Sequence, residues 1–264
     1  MAANSLFKAT YIGGPTVILE IGGLRLMTDP TLDPAGNVYH LGSLTVEKTK
    51  GPATLAIGRI DMVLLSHDQH FDNFDNGGRQ LVQTVSKTYT TEAGAARLQG
   101  TSIGLAPWQS DTLVTPDGTI LEITATPARH GPAGTEKIQG DVIGFLLSIK
   151  GEQGADIYLT GDTVYYEGIA DVADRYKPAY VFIFAGAAQT RGPFNVTMGT
   201  NDAMDTALAF PDATIIPLHY EGWKHYTQNE KDLQRSYQVI GIDQRLTVLV
   251  PGVATEFERS SIKN

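Results

Sequence analysis

Two histidines and two aspartates fall within the six residues His67-Asp68-Gln69-His70-Phe71-Asp72, which Asn73 follows. The segment comes directly after an apolar run, Met62 to Leu65, and Ser66. Imidazole nitrogens and carboxylate oxygens are the ligands that zinc and similar divalent ions take. A buried strand that stops at such a cluster presents its side chains together at one fixed point. A polar turn in which histidines cap backbone groups is the other reading of this stretch taken alone. Three further strand-like segments end in the same chemistry: one at His130, one at Asp162 in Thr160-Gly161-Asp162-Thr163, and one at His219. Strand ends are rigid mounts, and the loops that leave them are where sites are built. Four such ends together point to a metal centre.

The elements that would position these residues can be read from periodicity. Phe7 to Ile12, Thr16 to Ile21 and Leu24 to Thr28 alternate as strands, with Gly22-Gly23 as a tight hairpin turn and Asp29-Pro30 as a stop. Residues 31–60 read as one long connection punctuated by glycine and proline, and His40 within it as a surface histidine. A strand at 62–66 carries the central cluster. Helices are expected over 76–86, 91–98, 167–176, 201–210 and 228–239. Strands are expected at 87–90, 112–115, 119–126, 142–149, 156–160, 180–184, 214–218 and, last, 246–250. Two groups of strands, each followed by helices, suggest two sheets packed together with helices outside.

Composition narrows the partners. The chain has 264 residues, which fits one large domain or two small ones, and 42% of them are hydrophobic, enough for a sizeable core. A net charge of −9 repels phosphate backbones at long range, so nucleic acid is not an expected partner. The absence of cysteine excludes disulfides, thiolate nucleophiles and Cys-ligated metal, leaving His, Asp, Glu and carbonyl oxygen as ligands. The N-terminus lacks the pattern of a secretory signal, and no apolar run approaches the roughly 20 residues that span a bilayer. A cytoplasmic protein that does not engage membranes is the expectation. No Gly-Lys-Ser/Thr phosphate loop, dinucleotide glycine motif or Gly-x-Ser-x-Gly elbow is present, which argues against nucleotide-binding and serine-hydrolase chemistry.

With these motifs the sequence resembles the metallo-β-lactamase superfamily of metal-dependent hydrolases, over nearly its whole length. Gly13-Gly14-Pro15-Thr16-Val17 and Thr28-Asp29-Pro30 are similar to the opening of the UlaG-like branch, which includes ascorbate-6-phosphate lactonase. The resemblance implies an α/β fold, a four-layer αββα sandwich with mixed sheets, as a single domain over residues 1–264, with the site at one edge of the paired sheets. Its main motif is His-x-His-x-Asp-His after Ser or Thr; a lone His, an Asp in a Gly-Asp-Thr-like turn and a final His complete the ligands, and His130, Asp162 and His219 match those three. The main motif departs from this pattern twice. One extra residue separates Ser66 from Asp72, so that the first ligand is either His67 or Asp68, the other serving as insertion or supporting partner. Asn73 stands where the family has its last histidine, which weakens a second metal position. The implied ligands are then His67 or Asp68, His70 and His130 for one ion, and Asp72, Asp162 and His219 for a second, with Asp162 shared.

The expected reaction is hydrolysis of a small polar substrate, a lactone, ester or phosphoester, by water activated on one or two divalent ions. Zinc suits the imidazoles; manganese or iron suits more carboxylates. Asp72 and His219 are the candidate catalytic residues, Asp72 orienting or deprotonating the nucleophile. The alternatives are a nuclease or phosphodiesterase of the same fold, and a non-enzymatic binding protein with a degraded site. Asp29 is read either as a support beneath the site or as a cap on the turn at Pro30, and Arg129 as a surface ion-pair partner. Tyr220, Glu221 and Trp223 line the pocket or pack at the sheet edge, and His225 is expected to be exposed. A homo-oligomer stays open.

Overall fold

The computed structural model describes residues 5–42, 44–151 and 154–258. The chain begins with three antiparallel strands, β1 (Ser5–Gly13), β2 (Thr16–Ile21) and β3 (Leu24–Thr28). A small hairpin follows, β4 (Val38–Leu41) with β5 (Leu44–Glu47), and then β6 (Met62–Leu64) and α1 (Asn76–Leu81). Next come β7 (Lys87–Thr91), α2 (Glu92–Leu98), β8 (Ser102–Leu105), β9 (Ser110–Val114), β10 (Ile120–Pro127) and α3 (Glu136–Gln139). The second half holds β11 (Ile143–Ile149), β12 (Asp156–Leu159), α4 (Glu167–Arg175), β13 (Tyr180–Phe184), α5 (Thr200–Ala209) and β14 (Thr214–Leu218). It closes with α6 (Glu230–Val239), a 3₁₀ turn at Asp243–Arg245, and β15 (Ala254–Glu258).

Two mixed sheets result. The first has the order β15-β1-β2-β3-β6-β7-β8, the second β14-β13-β12-β11-β10-β9, and β4-β5 pair separately. In the first sheet β3, β6, β7 and β8 run parallel; in the second β12, β13 and β14 do. Parallel strands need crossovers: α1, α2, α4 and α5 supply four of them, and the connection carrying the β4–β5 hairpin joins β3 to β6.

The pairing of the sheets follows from the two-residue period of the strands. Val17, Leu19, Leu26 and Leu64 face the second sheet and share one core with Leu121, Ile123, Phe145 and Leu147. Their chain neighbours Ile18, Met27, Val63 and Leu65 point the other way, into a second core with Phe74, Val82 and Val85 beneath α1. Strands apolar on both faces are what a sheet between two layers requires. On the far side, Ile169 and Val172 of α4, Ala203 and Ala207 of α5, and Leu233 and Tyr237 of α6 cover the second sheet. The αββα architecture expected from the resemblance is therefore the one observed.

Several elements differ from the sequence reading. The connection over 31–60 contains the β4–β5 hairpin. The helix expected over 76–86 stops at Leu81, where the Thr84 hydroxyl donates to the Leu81 carbonyl at 2.8 Å. The short elements β8 and α3 were not anticipated. The segment 246–250 is not a strand: apart from one bridge between Leu246 and Ile215 it runs unpaired, and the last strand is β15. Phe257 of that strand stacks on Phe7 with ring centroids 4.6 Å apart, which holds β15 against β1. Among the described residues no helix is long and apolar enough to cross a membrane.

Candidate metal centre

The turns after β6, β10, β12 and β14 meet at one end of the sandwich, where the carboxyl ends of the parallel strands lie. The sheets are tied together here. The amide of Ile143 donates to the Ser66 carbonyl at 3.1 Å, and that of His219 to the Gly14 carbonyl at 2.7 Å. Glycine makes two of the turns possible. Gly161 has φ +63°, and a Cβ there would lie 2.6 Å from the Ile143 carbonyl oxygen. A Cβ on Gly186 would strike the carbonyl oxygen of His219. His219 itself adopts φ +60°, a costly conformation for a non-glycine residue, with its ring stacked on Phe184 at 5.4 Å.

Two groups of potential ligands result: His67, His70 and His130, and Asp72, Asp162 and His219, all buried. In the first group the Nδ1 of His70 lies 2.9 Å from Nε2 of His67 and 3.0 Å from Nε2 of His130. In the second, Nε2 of His219 is 3.4 Å from Asp162 and 3.7 Å from Asp72. His130 Nε2, 3.5 Å from the other Asp162 oxygen, links the groups.

The count of protons decides whether these residues suit a cation. Ser66 donates its hydroxyl to Asp29 at 2.7 Å, so towards His67 Nδ1, 2.9 Å away, it acts as acceptor. His67 therefore carries its proton on Nδ1, and its Nε2 is bare. The Val196 carbonyl, 2.6 Å from His130 Nδ1, can only accept, so Nε2 of His130 is bare as well. His70 can offer one proton between two lone pairs. Asp162 Oδ2 is buried with no hydrogen-bond partner among the described residues. Converging lone pairs with too few protons are the donor set that a divalent metal fits, and the outward nitrogens are held as metal-ligating histidines are.

Electrostatics agree with this. Burial pushes all four imidazoles towards the neutral form, His130 to about 3 and His219 to about 4. Burial would raise Asp72, but His225, His219 and His70 outweigh it and hold the carboxyl below its ordinary range. Burial, with the Asp72 charge adding to it, raises Asp162 well above that range. Asp29 is raised to about 8 by burial, which the Ser66 and Asn73 hydrogen bonds only partly offset.

The structure also sorts the remaining candidates. Of His67 and Asp68, it is His67 that stands with His70 and His130. Asp68 enters neither ligand group; Arg97 of α2 binds both its carboxylate oxygens, at 2.8 Å through Nε, and fixes it as an ion pair. Asp29 supports the site through Ser66. Asn73 joins as a donor, its Nδ2 lying 3.0 Å from Asp162 Oδ1. His225 is not exposed: its Nε2 lies 2.8 Å from Asp72 Oδ2, with only 10% of the side chain accessible. Tyr226, absent from the sequence reading, places its hydroxyl 2.9 Å from His219 Nε2 and 3.4 Å from Asp72 Oδ2. Arg129 forms the expected ion pair, with Glu167, and His40 is exposed. Tyr220 packs on Tyr11, Trp223 on Tyr39, and Glu221 pairs with Lys50 at the surface.

Residues 25–220 match the family model of the beta-lactamase superfamily domain. The chain belongs to this superfamily. Its metallo-β-lactamase fold accounts for the αββα layers and for candidate ligands carried on four strand ends. The protein YddR of Bacillus subtilis is 23% identical over 94% of this chain and 99% of its own. The metal-dependent hydrolase MK1542 of Methanopyrus kandleri is 25% identical over the same shares. The crystal structure of an isothiocyanate hydrolase from Delia radicum gut bacteria superposes with a TM-score of 0.80 at 24% identity, covering 96% of this chain and all of that one. This protein is a metal-dependent hydrolase of the metallo-β-lactamase superfamily.

Proposed function

We propose that the protein hydrolyses a small polar substrate, a lactone, ester or phosphoester, with His67, His70 and His130 holding one divalent ion and Asp72, Asp162 and His219 a second. The observation that carries this is the proton count: three imidazole nitrogens within about 3 Å share at most one proton, facing a buried, unpartnered carboxylate oxygen. A bound divalent ion lowers the pKa of water to about 7 and so supplies hydroxide at neutral pH. The protein's own residues do the rest. Ser66 and the Val196 carbonyl hold two imidazoles with their lone pairs inward. Asp72, held below the ordinary carboxylate range and so ionised, orients the attacking water as a hydrogen-bond acceptor. Tyr226 positions His219 beside it. Zinc is the metal we favour, because four of the six ligands are imidazoles.

Elemental analysis tests this reading on protein purified without chelator or affinity-column nickel, comparing wild type with Asp162→Ala. About two equivalents in the wild type, falling sharply in the variant, support the two-ion centre. About one equivalent supports a single ion in the imidazole group. No metal, even after reconstitution with zinc, manganese or iron, overturns the reading.

A further inference from the structure

The carboxylate group draws on two separate loops. Asp72 sits in the turn 70–75, where the amides of Asn73 and Phe74 donate to the His70 carbonyl. His219, His225 and Tyr226 come from the segment that leaves β14. Asp72 Oδ2 meets that segment at 2.8 Å from His225, 3.4 Å from the Tyr226 hydroxyl and 3.7 Å from His219. A hydrogen bond of this kind fails when one side shifts by about an ångström. The two loops therefore need a tie that fixes their register.

Lys48, the residue after β5, touches both. Its backbone bridges to Trp223, and beside it the Thr49 amide donates to the Gly222 carbonyl at 2.7 Å and the Lys224 amide to the Glu47 carbonyl at 3.0 Å. Its side chain reaches the far end of the turn that carries Asp72. There the ammonium donates to Asp75 Oδ2 and to the Thr31 carbonyl, both at 2.8 Å, and lies 5.4 Å from the Trp223 ring centroid. Lys48 and Asp75 are both buried. Asp75 also accepts from the amides of Leu32, Asp33 and Gly78, the last of which caps α1. Tyr39 spans the same gap, stacked on Phe71 and packed on Trp223, but stacked rings can slide past one another. A buried ion pair adds little stability over apolar packing of the same volume; what its hydrogen bonds add is direction.

We infer that Lys48 is a positioning residue: its ammonium, bound to Asp75 and to the Thr31 carbonyl, sets the spacing between Asp72 on one loop and His219, His225 and Tyr226 on the other. Lys48 belongs to neither ligand group and acts through Asp75 alone. With the ammonium removed, Asp75 keeps three N–H donors, so no bare carboxylate is left to unfold the chain.

The chain has no cysteine, so Lys48→Cys introduces a single thiol, which is alkylated in denaturant before refolding. Bromoethylamine restores a side chain with the length and charge of lysine, and propyl bromide gives its uncharged counterpart. Wild type treated with each reagent is the control. In metal-free protein the proton NMR signal of His225 Nε2–H, identified by its absence in His225→Gln, reports the bond to Asp72. We expect that proton to exchange with solvent about tenfold faster in the propyl form, and the aminoethyl form to match wild type within twofold. Zinc competition against a chelator should show the second equivalent about tenfold weaker in the propyl form and the first within twofold of wild type. The zinc readout rests on the two-ion reading above; the imidazole readout does not. Wild type that binds a single equivalent overturns that reading, and the His225 signal still decides the role of Lys48. Equal exchange in the two alkylated forms would overturn the role. So would a second equivalent within twofold of wild type, weakening of both equivalents alike, or a loss that the aminoethyl form fails to restore. If the propyl form does not refold, Lys48→Gln, which keeps a donor but lacks the charge and the reach, takes its place under the same expectations.

Discussion

The two ligand groups of the centre are built on different terms. In the imidazole group, protein partners hold the outward nitrogens, Ser66 on His67 and the Val196 carbonyl on His130, while the inward nitrogens face one another and, from His130, the unpartnered Asp162 Oδ2 at 3.5 Å. In the carboxylate group, protein donors already engage the inward atoms. His225 and Tyr226 meet Asp72 Oδ2, Tyr226 meets His219 Nε2, and Asn73 meets Asp162 Oδ1. An ion entering the first group relieves lone-pair crowding and displaces nothing. An ion entering the second must share or replace hydrogen bonds. The same sandwich edge thus offers one position that gains from a cation outright and another whose gain is discounted by the bonds it gives up.

The sharpest way to break this contrast is to delete one ligand from each group. His70 is the common neighbour of both other imidazoles, so His70→Ala should empty the first position and lower kcat/KM by more than about 10³-fold. Asp72→Ala should keep about one equivalent of metal while still losing activity, because Asp72 orients the water. Metal analysis beside steady-state kinetics checks both. Equal loss of metal in the two variants would mean that the groups bind as one unit.

A second test uses acid on the metal-free protein. Burial holds His130 at about 3 and His219 at about 4, below the unfolded value of 6.5. As pH falls below 6.5 the unfolded chain takes up protons that the folded one refuses, so stability falls. Each residue costs up to about 2 kcal/mol by pH 5, which together would lower Tm by about 10 °C. Asp162 and Asp29 have the opposite sign. Their folded pKa values are raised, so their contributions are favourable in acid and are lost as pH rises above 3.8. His67 and His70, lowered as well, add to the loss, and four imidazoles against two carboxyls leave a net fall between pH 6.5 and 5, where thermal scans of apo protein should show the drop. Scans of metal-loaded protein should show less of it, because metal competes with protons for the same nitrogens.

How much of this was legible in the residues depended on the range over which each feature is determined. The strands β1, β2 and β3 could be read, and so could the strand ends that carry the candidate ligands, since alternation and a histidine or aspartate after an apolar run are local signals. Asp68 could not be sorted from His67 by type or spacing; Arg97, 29 residues away on another element, holds Asp68 as an ion pair outside the imidazole group. His225 looked like a surface residue because nothing near it alternates. Bridges from Trp223 to Lys48 and from Tyr226 to Ala188 carry it inward. The hairpin strands are four residues each, with Val38 and His40 exposed, too short for a period to show. The reverse error came at 246–250, where an apolar run met no strand to pair with beyond a single bridge. The more polar Ala254–Glu258 found the open edge of β1 instead.

Asn73 offers the finest adjustment of the comparison. It occupies the position where the family pattern has an imidazole, and here it gives a hydrogen bond to Asp162 instead of a lone pair to a metal. Asn73→His would reverse that role, removing one of the hydrogen bonds that an ion in the carboxylate group must replace and adding a ligand. The second equivalent of zinc should then bind about tenfold more tightly, and the first should be unchanged, because the Asn73 side chain bonds Asp162 and belongs to neither ligand group. Competition against a chelator of known affinity resolves the two steps. Tightening of the second step alone would show that the asymmetry lies in how the inward atoms are engaged. Weaker binding at both steps would show instead that the Asn73 bond to Asp162 holds the whole centre in register.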